Sequence, residues 1–487
     1  MKKLNIKHLL LLLAFSFLVV ACSKEDPAPQ EPDKKPEEVK KSTDNSLHSF
    51  SFAKASNAGL VSDCKPVSNG TLLYITVPEE ATLSALIPSI KVHEKAKVTV
   101  NGTAFDQNAP VAVNFTKNVK IAITSESGST KTYTVLAKNG NVNIDNRVYE
   151  FMKKHNLPGV SIAISKAEEI VYRAGYGFAD KSKEERVTVD HLFRLASMSK
   201  QHAAIAIMSL YEQGLVKLDD IVFGEKGILS KYGSDMSSTA KRITVENLLN
   251  HTSGYTDDCI FPSKSMYYNK TLDERIQTLV DNASVDYIPG TTHKYNNTNF
   301  GVLSMIVEVI SGKTFEEYIK DLYAQYDIKD ICGGKNNESQ KLKNEVSYYG
   351  QDGKNAYGND VENGIGAGGI IATPTALMKL MAHIDYGTKV ADMFKKETLD
   401  IMYKPMENVV NTSGNPYQKY ALGWRCKYTD FPNWPAFHGG TLAGVCTIWS
   451  RNVSNVNGVI LCNSRSYNQD IDDEMWYLLE DFQDMYK

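Results

Sequence analysis

Ser197-Met198-Ser199-Lys200 runs straight into Gln201–Glu212, a stretch rich in Ala, Ile, Met and Leu, and Gly214 ends the run. That pattern predicts a helix whose first turn carries the serine and the lysine. Three residues apart on one helix, the two face the same side, so the Lys200 amine reaches the Ser197 hydroxyl. The helix N-terminus adds partial positive charge, which favours alkoxide development and an unprotonated lysine. A serine hydroxyl is unreactive without such a base. The bland use of Ser197 is N-capping. Ser199 could cap as well, so capping does not explain both. A solvated Lys200 fits badly beside Ala203, Ala204 and Ile205. The S-x-x-K string alone says little, because Ser51–Lys54, Ser62–Lys65 and Ser238–Lys241 repeat it. Context separates the Ser197 copy.

Two more signals lie downstream. Tyr295-Asn296-Asn297 follows a turn at Ile288-Pro289-Gly290 and precedes a predicted helix, Phe300 to Ile310, ending at Ser311-Gly312. A phenol beside a cationic lysine can share its proton and relay it to a leaving group or from water. The Asn297 amide can donate to a substrate carbonyl and accept from Lys200. The Y-x-N string recurs at Tyr267 and Tyr357, and the chain has 26 tyrosines, so context again decides. The third signal is His438-Gly439-Gly440-Thr441, just before a predicted strand at Val445. The glycine pair lets a substrate backbone lie against a strand edge. The Thr441 and Ser197 amides together could form an oxyanion hole. His438 could donate a proton or hydrogen-bond the substrate; its structural alternative is a packed histidine.

Outward from these motifs, Gly159–Ser165 and Glu169–Gly175 read as paired strands, as do Val445–Trp449 and Gly458–Cys462. Helices are expected at Asn146–His155 and at Gln469–Met485. Strands at both ends with helices between predict an α/β (α+β) domain over 145–487, its sheet assembled from both ends. Before it, Leu72–Val77, Lys97–Val100, Val119–Ile123 and Lys131–Leu136 are short strands split by turns at Ser68-Asn69-Gly70, Asn101-Gly102 and Ser127-Gly128. They predict a small β-sandwich over 47–140, a spacer or, less simply, a glycan-binding module.

Residues 22–46 are rich in Lys, Glu, Asp and Pro and read as a disordered tether. At 1–21, Lys2, Lys3 and Lys7 precede an apolar run from Leu9 to Ala21, the layout of a secretory signal. Val19-Val20-Ala21-Cys22 resembles a lipobox, which makes Cys22 a lipidation site and the chain an exported, lipid-anchored bacterial lipoprotein at the outer membrane or cell surface. Ser23-Lys24-Glu25-Asp26 is similar to a surface-export tag. Net charge is −3 with neither sign clustered, which excludes a nucleic-acid partner. The six other cysteines show no zinc spacing; Cys446 and Cys462 fall on neighbouring strands, as a disulfide or as buried thiols.

The order S-x-x-K, Y-x-N, H-x-G resembles the penicillin-binding-protein and β-lactamase serine hydrolases, in the branch of class C β-lactamases, D-aminopeptidases and esterases. Leu248–Gly254, Pro289-Gly290, Gly366-Ala367-Gly368-Gly369 and Ala421-Leu422-Gly423-Trp424 extend the resemblance over nearly all of 145–487. The resemblance implies an antiparallel sheet flanked by helices plus an all-helical lobe, with the active site at their boundary. The sandwich resembles immunoglobulin-like modules of surface lipoproteins. Class C β-lactamases carry Lys-Thr-Gly where this chain has His438-Gly439-Gly440. A mostly neutral imidazole is a poorer anion site, which points toward D-amino-acid peptides, peptidoglycan stems or esters, with β-lactamase proper as the alternative. The expected reaction is acyl transfer through Ser197, with Lys200 and Tyr295 as the proton-transfer pair and no metal or cofactor. A non-catalytic binder of cell-wall fragments is the competing class, opposed by the complete Ser197, Lys200 and Tyr295 set. Glu246 spells an E-x-x-L-N string with Asn250 but precedes Tyr295, and reads as a helix residue behind a Thr244 cap.

Overall fold

The computed structural model describes residues 40–233, 236–412, 419–426 and 432–487. The signal, lipobox and most of the tether lie outside these residues. Thr43–Lys487 forms one unit and Met1–Ser42 another. The predicted tether ends earlier than expected. Asp44 accepts from the Ser46 amide at 2.9 Å and hydroxyl at 2.6 Å, and the Leu47 amide donates to Tyr133 at 3.1 Å. These bonds fold 44–47 onto the sandwich.

The large sheet of the second domain is built from β1 (Gly159–Lys166), β2 (Glu169–Asp180), β3 (Glu185–Arg186), β4 (Lys419–Tyr420), β5 (Arg425–Cys426), β6 (Ala436–Leu442), β7 (Val445–Arg451) and β8 (Val456–Cys462). Among the described residues its order is β3-β2-β1-β8-β7-β6-β5-β4, antiparallel throughout. Ile162 of β1 stands opposite Ile460 of β8, joining the two ends of the domain.

Strand alternation divides the sheet's side chains between two cores. Val160, Ile162 and Ile164 of β1 pack with Val148 and Met152 of the Val142–Lys154 helix and with Met475, Leu479 and Phe482 of the Ile471–Met485 helix. Ala163, Val459 and Leu461 face the opposite way, toward Ile205 and Met208 of the Ser199–Glu212 helix. That helix is buried nearly all round, from Ser199 to Leu210. A helix apolar on every face belongs inside a domain, so its first turn stays fixed while the sheet and the helical lobe close over it. The lobe includes helices Leu272–Asn282, Asn297–Ser311 and Phe315–Ala324. Thr271 and Thr314 start two of them with capping boxes to Glu274 and Glu317. No helix among the described residues is long and apolar enough to cross a membrane.

The N-terminal domain is all-β, as the turn spacing predicts. Ser49–Phe52 pairs with Pro88–Lys91. A second sheet runs Val67–Asn69, Leu72–Val77, Thr130–Asn139, Val119–Thr124, Lys97–Val100, Thr103–Ala104. Val119, Ile121 and Ile123 point inward to Phe52 and Phe115. Leu72–Val77 and Thr130–Asn139 run parallel, a pairing that local turn chemistry does not foretell.

Candidate active site

The turn that carries Ser197 is strained. Ala196, directly before Ser197, has φ +50°, a conformation non-glycine residues seldom adopt and pay for by about 1–3 kcal/mol. Ala196–Met198 is a short 3₁₀ turn that leads into the Ser199–Glu212 helix. Two contacts hold it. Thr447 Oγ1 donates to Leu195 O at 2.9 Å, and Ser199 Oγ accepts from the Ile370 amide at 3.0 Å. The other three S-x-x-K strings lie on a strand (Ser51), in a loop (Ser62) and just before a 3₁₀ turn (Ser238), so none sets serine and lysine on one helix.

Lys200 is wholly buried. Its Nζ is 3.1 Å from Ser197 Oγ, 2.7 Å from Asn297 Oδ1 and 2.7 Å from Ala367 O. Burial pushes its pKa down to about 7; Asp258 works against that shift and Arg425 with it. The geometry then fixes the proton inventory. A neutral amine has two N–H groups and one lone pair. The two carbonyl oxygens can only accept, so they take the N–H groups. The lone pair is left for the Ser197 hydroxyl.

Each sequence companion has a place around this triangle. Gly366–Gly369 belongs to a single π-type turn, Ile365–Gly369. A side chain at Gly369 would stand 1.9 Å from Val361 O, so only glycine lets Ala367 O reach Lys200. Asn296 caps the Asn297–Ser311 helix, accepting from the Thr298 amide at 2.9 Å, and ties it to Tyr255 O and Asp257 O. His251 Nδ1 accepts from the Asn296 amide and from Asn299 Nδ2, both at 3.2 Å, and the ring lies 4.3 Å from that of Tyr295. Leu248–Gly254 thus braces the Tyr-Asn-Asn turn. Glu246 is exposed behind a Thr244 cap, as expected of a helix residue outside the site.

Tyr295 sits with Lys200 Nζ 4.9 Å from its ring centre, and its hydroxyl is sealed from solvent. That hydroxyl makes no well-formed hydrogen bond, although Ser197 is near enough to lower its pKa. Burial dominates and pushes the phenol up to about 12. Tyr295 therefore holds its proton under conditions in which Lys200 is ready to lose one. Asn297 Nδ2 donates to Asp258 Oδ2 at 2.7 Å, which commits one of its two N–H groups away from substrate.

His438 changes role. It is wholly buried. Nδ1 lies 2.7 Å from Gly439 O and Nε2 lies 3.0 Å from Tyr420 Oη. A carbonyl only accepts, so Nδ1 carries the proton and Nε2 accepts from Tyr420. Burial, reinforced by Arg425 and Lys200, holds the imidazole well below its ordinary pKa. Both nitrogens are occupied, so the expected proton donor is instead a neutral support for the strand.

The rest of His438-Gly439-Gly440-Thr441 does what its glycines suggest. A side chain at Gly440 would fall 2.1 Å from Leu195 O, so β6 lies directly against the nucleophile turn. Leu442 pairs with Val445 across a two-residue hairpin, and Gly440 with Thr447. In that register Leu442 and Gly440 bond to β7, while the Thr441 and Gly439 backbone groups point to the other edge. Among the described residues β5 pairs with β6 only at Arg425–Phe437, which leaves the Gly439–Thr441 stretch of this edge open. The Thr441 amide points to that open edge, and Thr441 Oγ1 accepts from Arg465 at 2.6 Å.

Sequence reasoning passed over two charged residues. Arg425 follows the Ala421–Trp424 motif directly and lies 5.7 Å from the Tyr295 ring centre. Asp258 accepts from the Ile260 amide at 2.9 Å and the Phe261 amide at 3.1 Å, besides Asn297. Arg425's place beside the Ala421–Trp424 motif was the available signal. Asp258 had none, since its loop matches no motif. Among the described residues no cluster of three or more His, Cys, Asp or Glu side chains is set to hold a metal. Cys446 and Cys462 stand directly opposite each other, buried and as thiols.

A profile of the family described as Beta-lactamase matches residues 144–481. This chain belongs to that family. A second profile, SGBP, N-terminal, matches residues 66–137. Protein flp of Staphylococcus aureus strain MRSA252 is 22% identical over 324 residues, 65% of this chain and 62% of that protein. The chain thus spans about three-fifths of the curated relatives it matches. Among solved structures, a beta-lactamase/D-alanine carboxypeptidase from Pseudomonas syringae aligns with TM-score 0.56 at 18% identity, covering 69% of this chain and 96% of that one. D-amino acid amidase from Ochrobactrum anthropi SV3 aligns with TM-score 0.54 at 20% identity, covering 71% and 100%. At such identities the likeness is one of fold.

Proposed function

We propose that the chain hydrolyses an amide or ester of a D-amino-acid or peptidoglycan-type peptide through an acyl-enzyme on Ser197. The observation that carries this reading is the Lys200 amine, whose two N–H groups are committed to carbonyls and whose lone pair is left for Ser197. Lys200 takes the Ser197 proton, and Oγ attacks the carbonyl carbon. The Ser197 and Thr441 amides stabilise the oxyanion. Tyr295 protonates the leaving group as the C–N or C–O bond breaks, and Lys200 returns a proton to Tyr295. Water, deprotonated by the same pair, then releases the acyl product and restores Ser197.

Two features favour a peptide. The open Gly439–Thr441 edge offers backbone groups to an extended substrate, as in strand addition. Arg425 supplies a cation near the leaving-group acid, which suits a terminal carboxylate and makes up for the missing lysine of the H-G-G motif. Asp258, behind Asn297, is placed for a substrate ammonium.

A fluorophosphonate probe should label the folded protein and fail on Ser197→Ala, and D-alanine amide and D-Ala-D-Ala should turn over faster than their L counterparts. No label on folded protein, or a label that survives Ser197→Ala, overturns the acyl-enzyme. Turnover of nitrocefin above that of D-peptides would favour a β-lactamase proper. We also propose lipid attachment at Cys22, on the strength of Val19-Val20-Ala21-Cys22; an alkyne fatty acid should label the wild type but not Cys22→Ala.

A further inference from the structure

A cavity of about 880 Å³ lies where the sandwich meets the hydrolase domain, and none of the catalytic residues lines it. Its walls come from both domains, which are joined by buried contacts. Asp145 accepts from Thr76 at 3.0 Å and meets Lys138 Nζ at 3.2 Å. Arg186 donates to Asn118 Oδ1 and to Ala137 O, each at 2.6 Å. The Tyr74 and Tyr149 rings stack at 5.0 Å, one from each domain. A preformed cleft at a domain boundary loses little ordering entropy when it binds, and its volume lies within the range of small-ligand sites.

The lining defines the ligand. Lys138 is committed to Asp145. Of the remaining charges, Arg173 and Arg186 are balanced by Glu79 and Glu80, so an ion of either sign gains no net attraction. The lining carries both donors (Arg173, Asn139, Asn141) and acceptors (Glu79, Glu80), which suits a ligand whose groups both donate and accept, as hydroxyls do. Tyr172 and Tyr486, both half-buried with ring centres 6.1 Å apart, give flat faces for the C–H side of a sugar ring. Beneath this surface, Tyr74 Oη and Arg186 Nη2 are buried without a hydrogen-bond partner, and native proteins rarely leave such groups unpaired.

We propose that this junction is a second, non-catalytic site for a neutral oligosaccharide, held between the sandwich and the hydrolase. The site is independent of the Ser197 chemistry, and binding is read without turnover. Calorimetric titration of the full chain would use a tetramer of β-1,4-linked N-acetylglucosamine, cellohexaose and maltohexaose, with hexagalacturonate as the acidic counterpart. At least one neutral oligomer should saturate the protein. Arg173→Ala, Glu79→Ala and Tyr486→Ala, all at accessible positions, should each weaken it by about fivefold or more with thermal midpoint and ester turnover unchanged. The proposal is overturned if no neutral oligomer binds up to about 10 mM, if only the acidic one binds, or if affinity is the same in all three variants.

Discussion

Asp145 and Lys200 are both wholly buried, and they have opposite surroundings. Asp145, at the junction of the two domains, is met by Lys138 and by the hydroxyls of Thr76, Tyr172 and Tyr176. Lys200, in the catalytic turn, is met by a hydroxyl and two carbonyls. Its opposite charge, Asp258, stands one side chain further out, behind Asn297. Both groups lose their water. Asp145 recovers a full countercharge and serves as an anchor. Lys200 recovers only dipoles, so it gives up its proton near neutrality. Burial of a charge does not by itself mark a functional group; the shortfall in its compensation does.

The largest test of that contrast is Lys200→Ala. It should reduce kcat/KM on an ester substrate by about 10³-fold or more. The thermal midpoint should hold or rise, because an under-compensated charge has been removed; unfolding instead would make Lys200 an anchor too. Asp145→Ala should do the reverse. Leaving Lys138 unpaired should cost about 3–5 kcal/mol in denaturant melts, with turnover per titrated active site unchanged. A large loss of turnover in folded Asp145→Ala would erase the distinction.

The pH dependence sharpens it further. Activity should rise with pH through about 7 as Lys200 deprotonates, with no falling limb from Tyr295, whose pKa is pushed up to about 12. Between about 7 and 10.5 the unfolded chain binds a proton at this lysine that the folded chain does not. Folding stability should therefore rise with pH across that window, and Lys200→Met should flatten the slope. The smallest effect is expected from Tyr420→Phe, which leaves His438 Nε2 without a donor. It should cost about 1 kcal/mol in a urea melt and change turnover only a few-fold. Loss of all activity would return His438 to proton transfer.

The legible and illegible parts of the site separate along physical lines. Ser197, Lys200, Tyr295 and Asn297 could be read because each chemical role needs one residue type at one helical spacing. Gly440 and Gly369 could be read because a closely approached backbone excludes every other side chain. Buried strands such as β8, apolar on both faces, announced the sheet. What the sequence hid depends on partners far along the chain. His438 Nε2 is taken up by Tyr420 from another strand, the Ala196 strain is invisible in an ordinary alanine, and the place of Asp258 beside the Asn297 helix comes from tertiary folding. The sequence offered His438 only as a poorer anion site than a lysine, and the nearby cation was hidden for the same reason. Arg425 arrives on a neighbouring strand, two strands away from the glycine hairpin's partner β7 and outside the motif itself.

The pairing of β1 with β8 sets an order of events for synthesis. A chain made from its N-terminus can form the nucleophile helix and the helical lobe early. The middle of its sheet stays open until residues 456–462 arrive to pair with 159–166. Until then β1 has an exposed apolar edge, and the Thr441 strand has no β7–β8 ribbon to hold it against Ser197. Such long-range closure is slow and leaves partly made chains prone to aggregate. Hydrolytic activity should therefore switch on as a single late event, and a chain cut before the final hairpin should carry Ser197, Lys200 and Tyr295 in full yet remain silent.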